Sequence, residues 1–316
     1  MRHRLSIVII LLVLMGINSF AQMETDSVFI ERALRQVPSG AGTLHFARLF
    51  MGRPYIAHTL EVNDDEQLVV NTRELDCTTL VENVVALTLC HEQNRLNYAD
   101  FCEVLQQIRY RGGIINGYPS RLHYFTDWII DNSQKGIVNE IQMKKAPFTS
   151  VQTVRVNYMS QHPQSYKALK ARPKYVPVVA EQEKELTGRQ FRFIPKSEIQ
   201  NSKLLRSVIH DGDILAITTS KAGLDIAHLG FAVWRKDGLH LLNASQIHHK
   251  VVEEPMTFRK YLSKHPAHTG VRVIRLNSLT PYSFFIFLQR KRSLIPLKSF
   301  FIIRPTPCVF RDERVK

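Results

Sequence analysis

Residues 73–91, RELDCTTLVENVVALTLCH, contain the most informative pattern in this chain. After Cys77, apolar residues recur on adjacent stripes of a helical face, so the stretch predicts a helix that begins at or near this cysteine. Asp76 and Thr79 belong to the residue types that bind the free amide hydrogens at a helix start, and Glu82 is placed to complete a capping box with Thr79. We therefore expect Cys77 at the N-terminus of a core helix.

This position gives Cys77 a candidate chemical role. The helix macrodipole at that end favours the thiolate form of the side chain, and free backbone N–H groups can face an oxyanion. Cysteine nucleophiles are commonly mounted in this way. A structural cysteine buried near the start of a core helix fits the same stretch and is the alternative interpretation.

The two ends of the chain differ in composition from the region between them. Basic residues precede an apolar run over 5–17, and small residues lead to Ala21, which predicts a secretory signal peptide over residues 1–21. An uncleaved N-terminal anchor is the alternative. Residues 281–316 carry eight Lys or Arg against two acidic residues, and their apolar clusters are too short to span a bilayer. We expect an irregular tail there, with contact to an anionic membrane surface as the alternative.

The charge and cysteine content narrow the classes of function. The formal net charge is +14, but the basic residues are dispersed and no zinc-finger, RNP or helix-turn-helix pattern occurs, so we expect no nucleic-acid partner. An anionic cell-wall polymer suits an exported basic chain better. Four cysteines are too few and too irregular in spacing for a disulfide scaffold or a zinc site. A disulfide between Cys90 and Cys102 is compatible with export.

The order of the predicted elements indicates the fold class. Helical patterns with start or stop signals cover 26–35, 43–51, 97–109 and 125–131, with a weaker one at 160–170. Residues 173–195 carry helix breakers. Strands are predicted at 67–71, 191–194, 213–219, 227–235, 239–245 and 271–276, and Asp237-Gly238 is a two-residue hairpin signal. Helices first and antiparallel strands later indicate an α+β domain.

Residues 110–124 form an unusual loop in this pattern. The segment combines three glycines with tyrosines, arginines and a histidine. Loops of this composition expose aromatic faces and planar hydrogen-bond donors, which suit a sugar or a carboxylated peptide. An ordinary surface loop with partly buried aromatic residues is the alternative.

His228 and Asn243 are the candidates to complete a site with Cys77. A thiol nucleophile needs a base that can also protonate the leaving group, and the base needs a residue that fixes its orientation. A hairpin turning at 237–238 places His228 and Asn243 at nearby rungs, where the amide oxygen of Asn243 can accept from the imidazole. His240 and His248 are rival partners, although side-chain alternation directs His240 to the opposite sheet face. A purely structural role for His228 is the alternative.

A zinc amidase, which would use a metal ion in place of a cysteine nucleophile, is a further alternative. Its ligands would have to come from scattered histidines at 210, 228, 248 and 249, and no HExxH spacing supports such a site. We therefore expect no metal and no other cofactor.

With these residues in hand, the chain resembles the NlpC/P60 superfamily of papain-like cysteine hydrolases. More closely, it is similar to the N-acetylmuramoyl-L-alanine amidase-like branch, also called the DUF1460 family. The matching segments lie between about residues 43 and 276 and are LDCTTLVE at 75–82, RLHY at 121–124, DWI at 127–129, HLG at 228–230 and NAS at 243–245. The tail after Thr280 departs from the family pattern.

The resemblance implies a papain-like α+β fold over residues 22–280, in which the cysteine helix packs on an antiparallel sheet beside extra N-terminal helices. It implies Cys77 as nucleophile, with its N–H in the oxyanion hole, His228 as general base and acid, and Asn243 as the orienting residue, where many relatives carry histidine. The resemblance implies that Asp76 and Thr78 contact the substrate beside the scissile bond. It also implies that the loop at 110–124 recognises the substrate, with contacts from this loop and the helix after it: Tyr118, Arg121, His123, Tyr124 and Trp128. Arg121 would pair with a carboxylate, and Tyr124 or Trp128 would lie against a sugar face.

The resemblance also implies an activity. This branch is associated with cutting the amide between N-acetylmuramic acid and L-alanine in bacterial wall fragments. The expected partner is therefore peptidoglycan or a muropeptide. We expect the protein to be a monomer in the bacterial periplasm. Three alternatives stay open at this point. They are a D,L-endopeptidase that cuts within the stem peptide, a non-catalytic wall-binding module, and an acyltransferase of papain-like fold.

Overall fold

The computed structural model describes residues 24–38 and 40–277. The predicted signal peptide at 1–21 and the predicted basic tail at 281–316 lie outside these residues. Within the described part, most helices precede most strands, and the strands form one antiparallel sheet. This arrangement confirms the α+β class.

Ten α-helices occur in the described residues. They are α1 (Asp26–Arg35), α2 (Thr43–Arg48), α3 (Cys77–Glu92), α4 (Tyr98–Arg109), α5 (Phe125–Gln134), α6 (Tyr158–Gln161), α7 (Lys167–Ala171), α8 (Val176–Leu186), α9 (Lys203–Val208) and α10 (Phe258–Ser263). The single helix predicted at 160–170 is wrong, because a 3₁₀ turn at Pro163–Ser165 separates α6 from α7. Helix α8 was not predicted, because the stretch 173–195 contains helix breakers. Pro177 is compatible with this helix, since it lies in the first turn, where a helix tolerates proline.

Eight strands form the sheet of the described region. They are β1 (Val138–Ile141), β2 (Ser150–Thr153), β3 (Gln190–Pro195), β4 (Ile214–Thr219), β5 (Ile226–Trp234), β6 (Leu239–Ser245), β7 (Lys250–Glu253) and β8 (His268–Leu276). Their order is β2-β3-β8-β4-β5-β6-β7, with β1 also paired to β8. The strand predicted at 67–71 does not form. Its carbonyls accept from side chains instead, Val69 from Arg109 and Asn71 from Asn83.

The sheet is covered on both faces. Alternate residues of β4 point into different cores, with Ile214 and Ala216 on one side and Leu215 and Ile217 on the other. Helix α3 packs on the first face against β5 and β6, and it is buried almost all round. A helix buried in this way is fixed by contacts along its whole length, so its first residue is held in place relative to the sheet.

A third, smaller core lies beside the first. It joins Tyr118 and Tyr124 of the glycine-rich loop to residues of the segment 154–186, including Met159 and Val179. The sequence of this segment shows only a weak helical pattern at 160–170 and helix breakers from 173 onward, yet it supplies a wall of the site described below.

Three further findings concern the cysteines, the helices and the metal-binding residue types of the described part of the chain. Cys90 is a free, buried thiol, so the disulfide between Cys90 and Cys102 is not formed. Within residues 24–38 and 40–277, no helix has both the length and the apolar character needed to cross a bilayer. The same residues contain no cluster of three or more His, Cys, Asp or Glu side chains that could hold a metal ion.

Candidate active site

Cys77 is the first residue of α3, and its neighbours fix the start of the helix. The Asp76 side chain accepts from the Thr79 backbone N–H at 2.7 Å, and the Thr79 hydroxyl oxygen accepts from the Asp76 N–H at 2.9 Å. The capping box is therefore formed by Asp76 and Thr79. The predicted box of Thr79 with Glu82 is wrong, because Glu82 is buried one turn further on and pairs with Arg109.

His228 and Asn243 are in direct contact. The Nε2 atom of His228 lies 2.9 Å from the Oδ1 atom of Asn243, which confirms the predicted proximity across the β5–β6 hairpin. A bulge in the pairing of β4 with β5 falls beside His228, because Ile217 pairs with His228 while Thr218 pairs with Ile226. Bulges of this kind redirect a side chain, and no local sequence pattern indicates this one.

The two rival histidines are bound elsewhere. The fully buried His240 contacts the Glu254 carbonyl oxygen through Nδ1 and the Asp237 carboxylate through Nε2. His248 contacts the Glu254 carboxylate. Of the three candidate partners, Asn243 is therefore the one in contact with His228.

Cys77 and His228 line one cleft of about 190 Å³. Its other walls come from the region before β5, from the glycine-rich loop at 110–124 with the residue after it, and from the 154–186 segment. They include Thr78, His123, Tyr124, Phe125, Met159, Tyr166, Leu224 and Asp225. The cleft thus brings together residues from four separate parts of the chain around the thiol.

Burial sets the resting protonation state of the pair. It raises the pKa of the Cys77 thiol to about 12, helped by the Asp76 carboxylate and opposed by hydrogen bonds from Leu229 and Thr78. Burial also lowers the pKa of His228, against the hydrogen bond to Asn243. At neutral pH the resting site therefore holds a thiol and a neutral imidazole. The thiolate that a helix start favours is therefore not the resting form, because desolvation by burial has the largest influence on the pKa of this thiol.

This state predicts slow alkylation of Cys77. At pH 7 we expect iodoacetamide to modify Cys77 at least about tenfold more slowly than a free cysteine, because the thiolate is the reactive form and a raised pKa leaves little of it. The rate should rise through pH 9 without a plateau. Mass spectrometry of the Cys77 peptide after timed quenching measures both. A plateau below about pH 8 would show a thiolate at rest and contradict the assignment.

Three of the predicted substrate-binding residues line the cleft. They are Thr78, His123 and Tyr124. Nε2 of His123 lies 3.0 Å from the Tyr118 carbonyl oxygen, and burial lowers the pKa of His123 to about 3, so its ring is neutral. The Tyr124 hydroxyl donates to Glu183 at 2.7 Å, which fixes its ring in the wall.

The structure places four other predicted residues outside the cleft lining. Trp128 is fully buried and stacks on Phe125 with ring centroids 4.9 Å apart, so the prediction that it meets a sugar face is wrong. Asp76 lends its carboxylate to the helix cap. Tyr118 and Arg121 line a separate cavity of about 210 Å³.

Arg121 is not available to a substrate carboxylate. Its guanidinium donates twice to Glu66, at 2.9 and 2.7 Å, and once to Glu61 at 3.3 Å. The Arg121 side chain is only 11% exposed. The predicted pairing of Arg121 with a ligand carboxylate is therefore wrong, because the protein already supplies two carboxylates in that place.

Sequence reasoning missed several residues of the site. Met159 and Tyr166 come from the 154–186 segment, whose pattern indicated no site. Glu254 lies behind Asn243, and Asn243 donates through Nδ2 to Oε1 of Glu254 at 3.1 Å. No motif marks these positions, because only the packing of distant segments brings them to the site.

Comparison with known proteins places this geometry in a family. The sequence model of the AmiA-like, N-acetylmuramoyl-L-alanine amidase-like family matches residues 45–271. No curated protein matches the chain in sequence. Among solved structures, an N-acetylmuramoyl-L-alanine amidase from Bacteroides uniformis is 39% identical, with a TM-score of 0.70 over 74% of this chain and 97% of that one.

Two further structures are similar. A Bacteroides fragilis protein described as a "putative xylanase" is 41% identical, with a TM-score of 0.68 over 73% of this chain and 99% of that chain. A Legionella pneumophila protein assigned to DUF1460 is 22% identical, with a TM-score of 0.60 over 78% and 91% of the two chains, and supports the fold alone. With its family match over most of the described residues, the chain belongs to the N-acetylmuramoyl-L-alanine amidase-like family.

Proposed function

We propose that the protein is a cysteine amidase that hydrolyses the amide between N-acetylmuramic acid and L-alanine in peptidoglycan or its soluble fragments. The observation that carries this proposal is the shared cleft of Cys77 and His228, with Nε2 of His228 held 2.9 Å from Oδ1 of Asn243. The choice of bond draws on the family and on the B. uniformis structure that bears this activity in its name.

The proposed reaction begins from the neutral pair. His228 takes the thiol proton as the Cys77 sulfur attacks the carbonyl carbon of the lactyl arm of the sugar. The protonated His228 then gives its proton to the amine of L-alanine as the C–N bond breaks. The peptide leaves, and the lactyl group stays on sulfur as a thioester. A water molecule that loses its proton to His228 attacks the thioester, the C–S bond breaks, and His228 returns the proton to the sulfur, which restores the thiol.

The start of α3 supplies the proposed oxyanion site. The first N–H groups of a helix have no partner within the helix. The cap engages the N–H of Thr79, so the N–H groups of Cys77 and Thr78 are the ones placed beside the sulfur. Donation to the developing negative charge at this position lowers the barrier to attack.

The composition of the cleft supports an amidase over a glycosidase. A glycosidase of the usual kind needs two carboxyl groups flanking the bond. Among the residues that line the described cleft, Asp225 alone carries a carboxylate, and its Oδ2 accepts from the Thr126 N–H at 2.7 Å. The name of the B. fragilis structure therefore finds no support in this site.

The remaining parts of the proposal concern setting and class. The NlpC/P60, papain-like assignment is supported by the cysteine at the helix start and the His–Asn pair on the sheet. The predicted signal peptide supports export to the bacterial periplasm. There the protein, as a monomer, would bind peptidoglycan or released muropeptide.

Product analysis tests the proposed bond. The mature protein is incubated with a defined muramoyl peptide, and the products are identified by mass spectrometry. We expect the whole stem, beginning at L-alanine, together with free muramic acid. A shortened stem would identify a D,L-endopeptidase, and an acyl product that depends on added amine would identify an acyltransferase. Binding without any product would leave the wall-binding module.

A further inference from the structure

We propose that Glu254 is a positioning residue that fixes the orientation of the Asn243 amide, and through it the tautomer of His228. This inference rests on the proposed cysteine mechanism and deepens it. It assigns a role to a buried carboxylate that the reaction steps above do not use.

The geometry behind the proposal is a short chain of hydrogen bonds. Asn243 is fully buried on β6, with Oδ1 at 2.9 Å from Nε2 of His228 and Nδ2 at 3.1 Å from Oε1 of Glu254. Glu254 is 2% exposed and follows directly after β7. Its other carboxylate oxygen lies 3.2 Å from Nε2 of His248. Both oxygens of Glu254 therefore face nitrogen atoms.

The backbone of Glu254 is also fixed. Its N–H donates to the Leu241 carbonyl at 2.8 Å, and its carbonyl oxygen lies 2.9 Å from Nδ1 of the buried His240. These contacts tie the residue to β6, the strand that carries Asn243. The carboxylate is therefore held still relative to the amide that it contacts.

A carboxylate decides which way an asparagine amide faces. An ionised carboxylate only accepts hydrogen bonds, whereas an amide carries an acceptor at one end and donors at the other. The NH₂ group of Asn243 must therefore face Glu254, and the oxygen must face His228. An acceptor beside Nε2 of His228 requires the proton on that nitrogen. Nδ1 is then the basic nitrogen, left to take the proton of Cys77.

Without Glu254 this choice is lost. A glutamine in its place can present either an oxygen or an NH₂ group to Asn243, so the reversed amide becomes allowed. The reversed amide would offer a donor to Nε2 and favour the tautomer with the proton on Nδ1. That tautomer cannot accept the thiol proton at Nδ1.

The test combines kinetics with the state of the His228 ring. For Glu254→Gln we expect kcat to fall about tenfold to a hundredfold with KM unchanged. The ¹⁵N spectrum of the resting protein should show one Nε2–H tautomer for His228 in the wild type and a mixture in the variant. Glu253→Gln is the matched control, because that neighbouring carboxylate pairs with Arg48 and Arg235 at the surface. It should leave kcat and the tautomer unchanged.

An Asn243→Asp background separates orientation from general damage. An aspartate accepts at both oxygens and needs no orientation, but it places a second carboxylate against Glu254. Adding Glu254→Gln to Asn243→Asp should therefore raise kcat, whereas it lowers kcat in the wild type. An equal loss in both backgrounds would overturn the proposal, and so would a wild-type tautomer in Glu254→Gln. If Glu254→Gln alone does not fold, the comparison of the double variant with Asn243→Asp decides.

Failure of the positioning role can be told apart from failure of the amidase proposal. The ring spectrum is recorded on the resting protein without substrate, so it reports on Glu254 whatever the enzyme cleaves. A wild-type protein that lacks cysteine-dependent cleavage but shows the tautomer shift in Glu254→Gln would refute the amidase and support the positioning role.

Discussion

Replacement of Cys77 by alanine is expected to lower kcat on a muramoyl peptide by about 10⁴-fold or more, with the protein still folded. In the proposed mechanism the thiol forms the covalent bond to the acyl group, so its removal removes that step. The fold should persist because the helix cap depends on Asp76 and Thr79, and alanine is a good helix former.

Cys90→Ala is the matched control for this experiment. Cys90 is also a free cysteine in the described part of the chain, and it is buried near the far end of the same helix. We expect its variant to lose some stability and to retain kcat. Initial rates by product chromatography and circular dichroism of both variants provide the comparison. A Cys77→Ala protein that keeps more than a few per cent of wild-type turnover would rule out the cysteine mechanism.

Removal of Arg109 is expected to destabilise the fold by about 3–5 kcal/mol, the second large effect. Nε of Arg109 lies 2.7 Å from Oε2 of Glu82, and its Nη1 donates to the Val69 carbonyl at 2.6 Å. The two side chains are only 1% and 2% exposed. Arg109→Ala would leave the carboxylate of Glu82, on α3, buried in the protein core without its cation.

Urea unfolding at pH 7 measures this effect, and two further variants frame it. The pair Glu82→Gln with Arg109→Met removes both charges, so it should lose much less stability than Arg109→Ala. Arg35→Ala removes an exposed arginine whose contact with Glu31 spans 3.8 Å, and it should change the free energy of unfolding by less than about 1 kcal/mol. A loss below about 1 kcal/mol for Arg109→Ala would contradict the expectation.

The Arg109 prediction also bears on the site. Glu82 lies five residues after Cys77 in α3, so the buried pair anchors the helix that carries the proposed nucleophile. A milder Arg109 variant that still folds should therefore loosen the start of α3, which hydrogen exchange at Thr79 and Leu80 would detect.

Local sequence patterns were enough to predict the elements that carry the proposed chemistry. The apolar pattern after Cys77 and the residue types around it predicted a helix there, and α3 begins at that residue. The hairpin signal at Asp237-Gly238, with alternating residues on either side, predicted that His228 and Asn243 would lie close together. These features are local, because helix periodicity, caps and tight turns depend on residues within a few positions of each other.

Long-range packing, in contrast, determines which side chains line the cleft and in which protonation state. Trp128 and Arg121 are residue types that often bind ligands. Trp128, however, is buried in the core. The Arg121 guanidinium is paired with the carboxylates of Glu61 and Glu66. Met159, Tyr166 and Glu254 reach the site from segments without any motif. Burial also raises the pKa of Cys77, so the side chain is a thiol at rest and not the thiolate that a helix start favours. Burial and long-range pairing depend on residues far apart in the chain, so no local pattern encodes them.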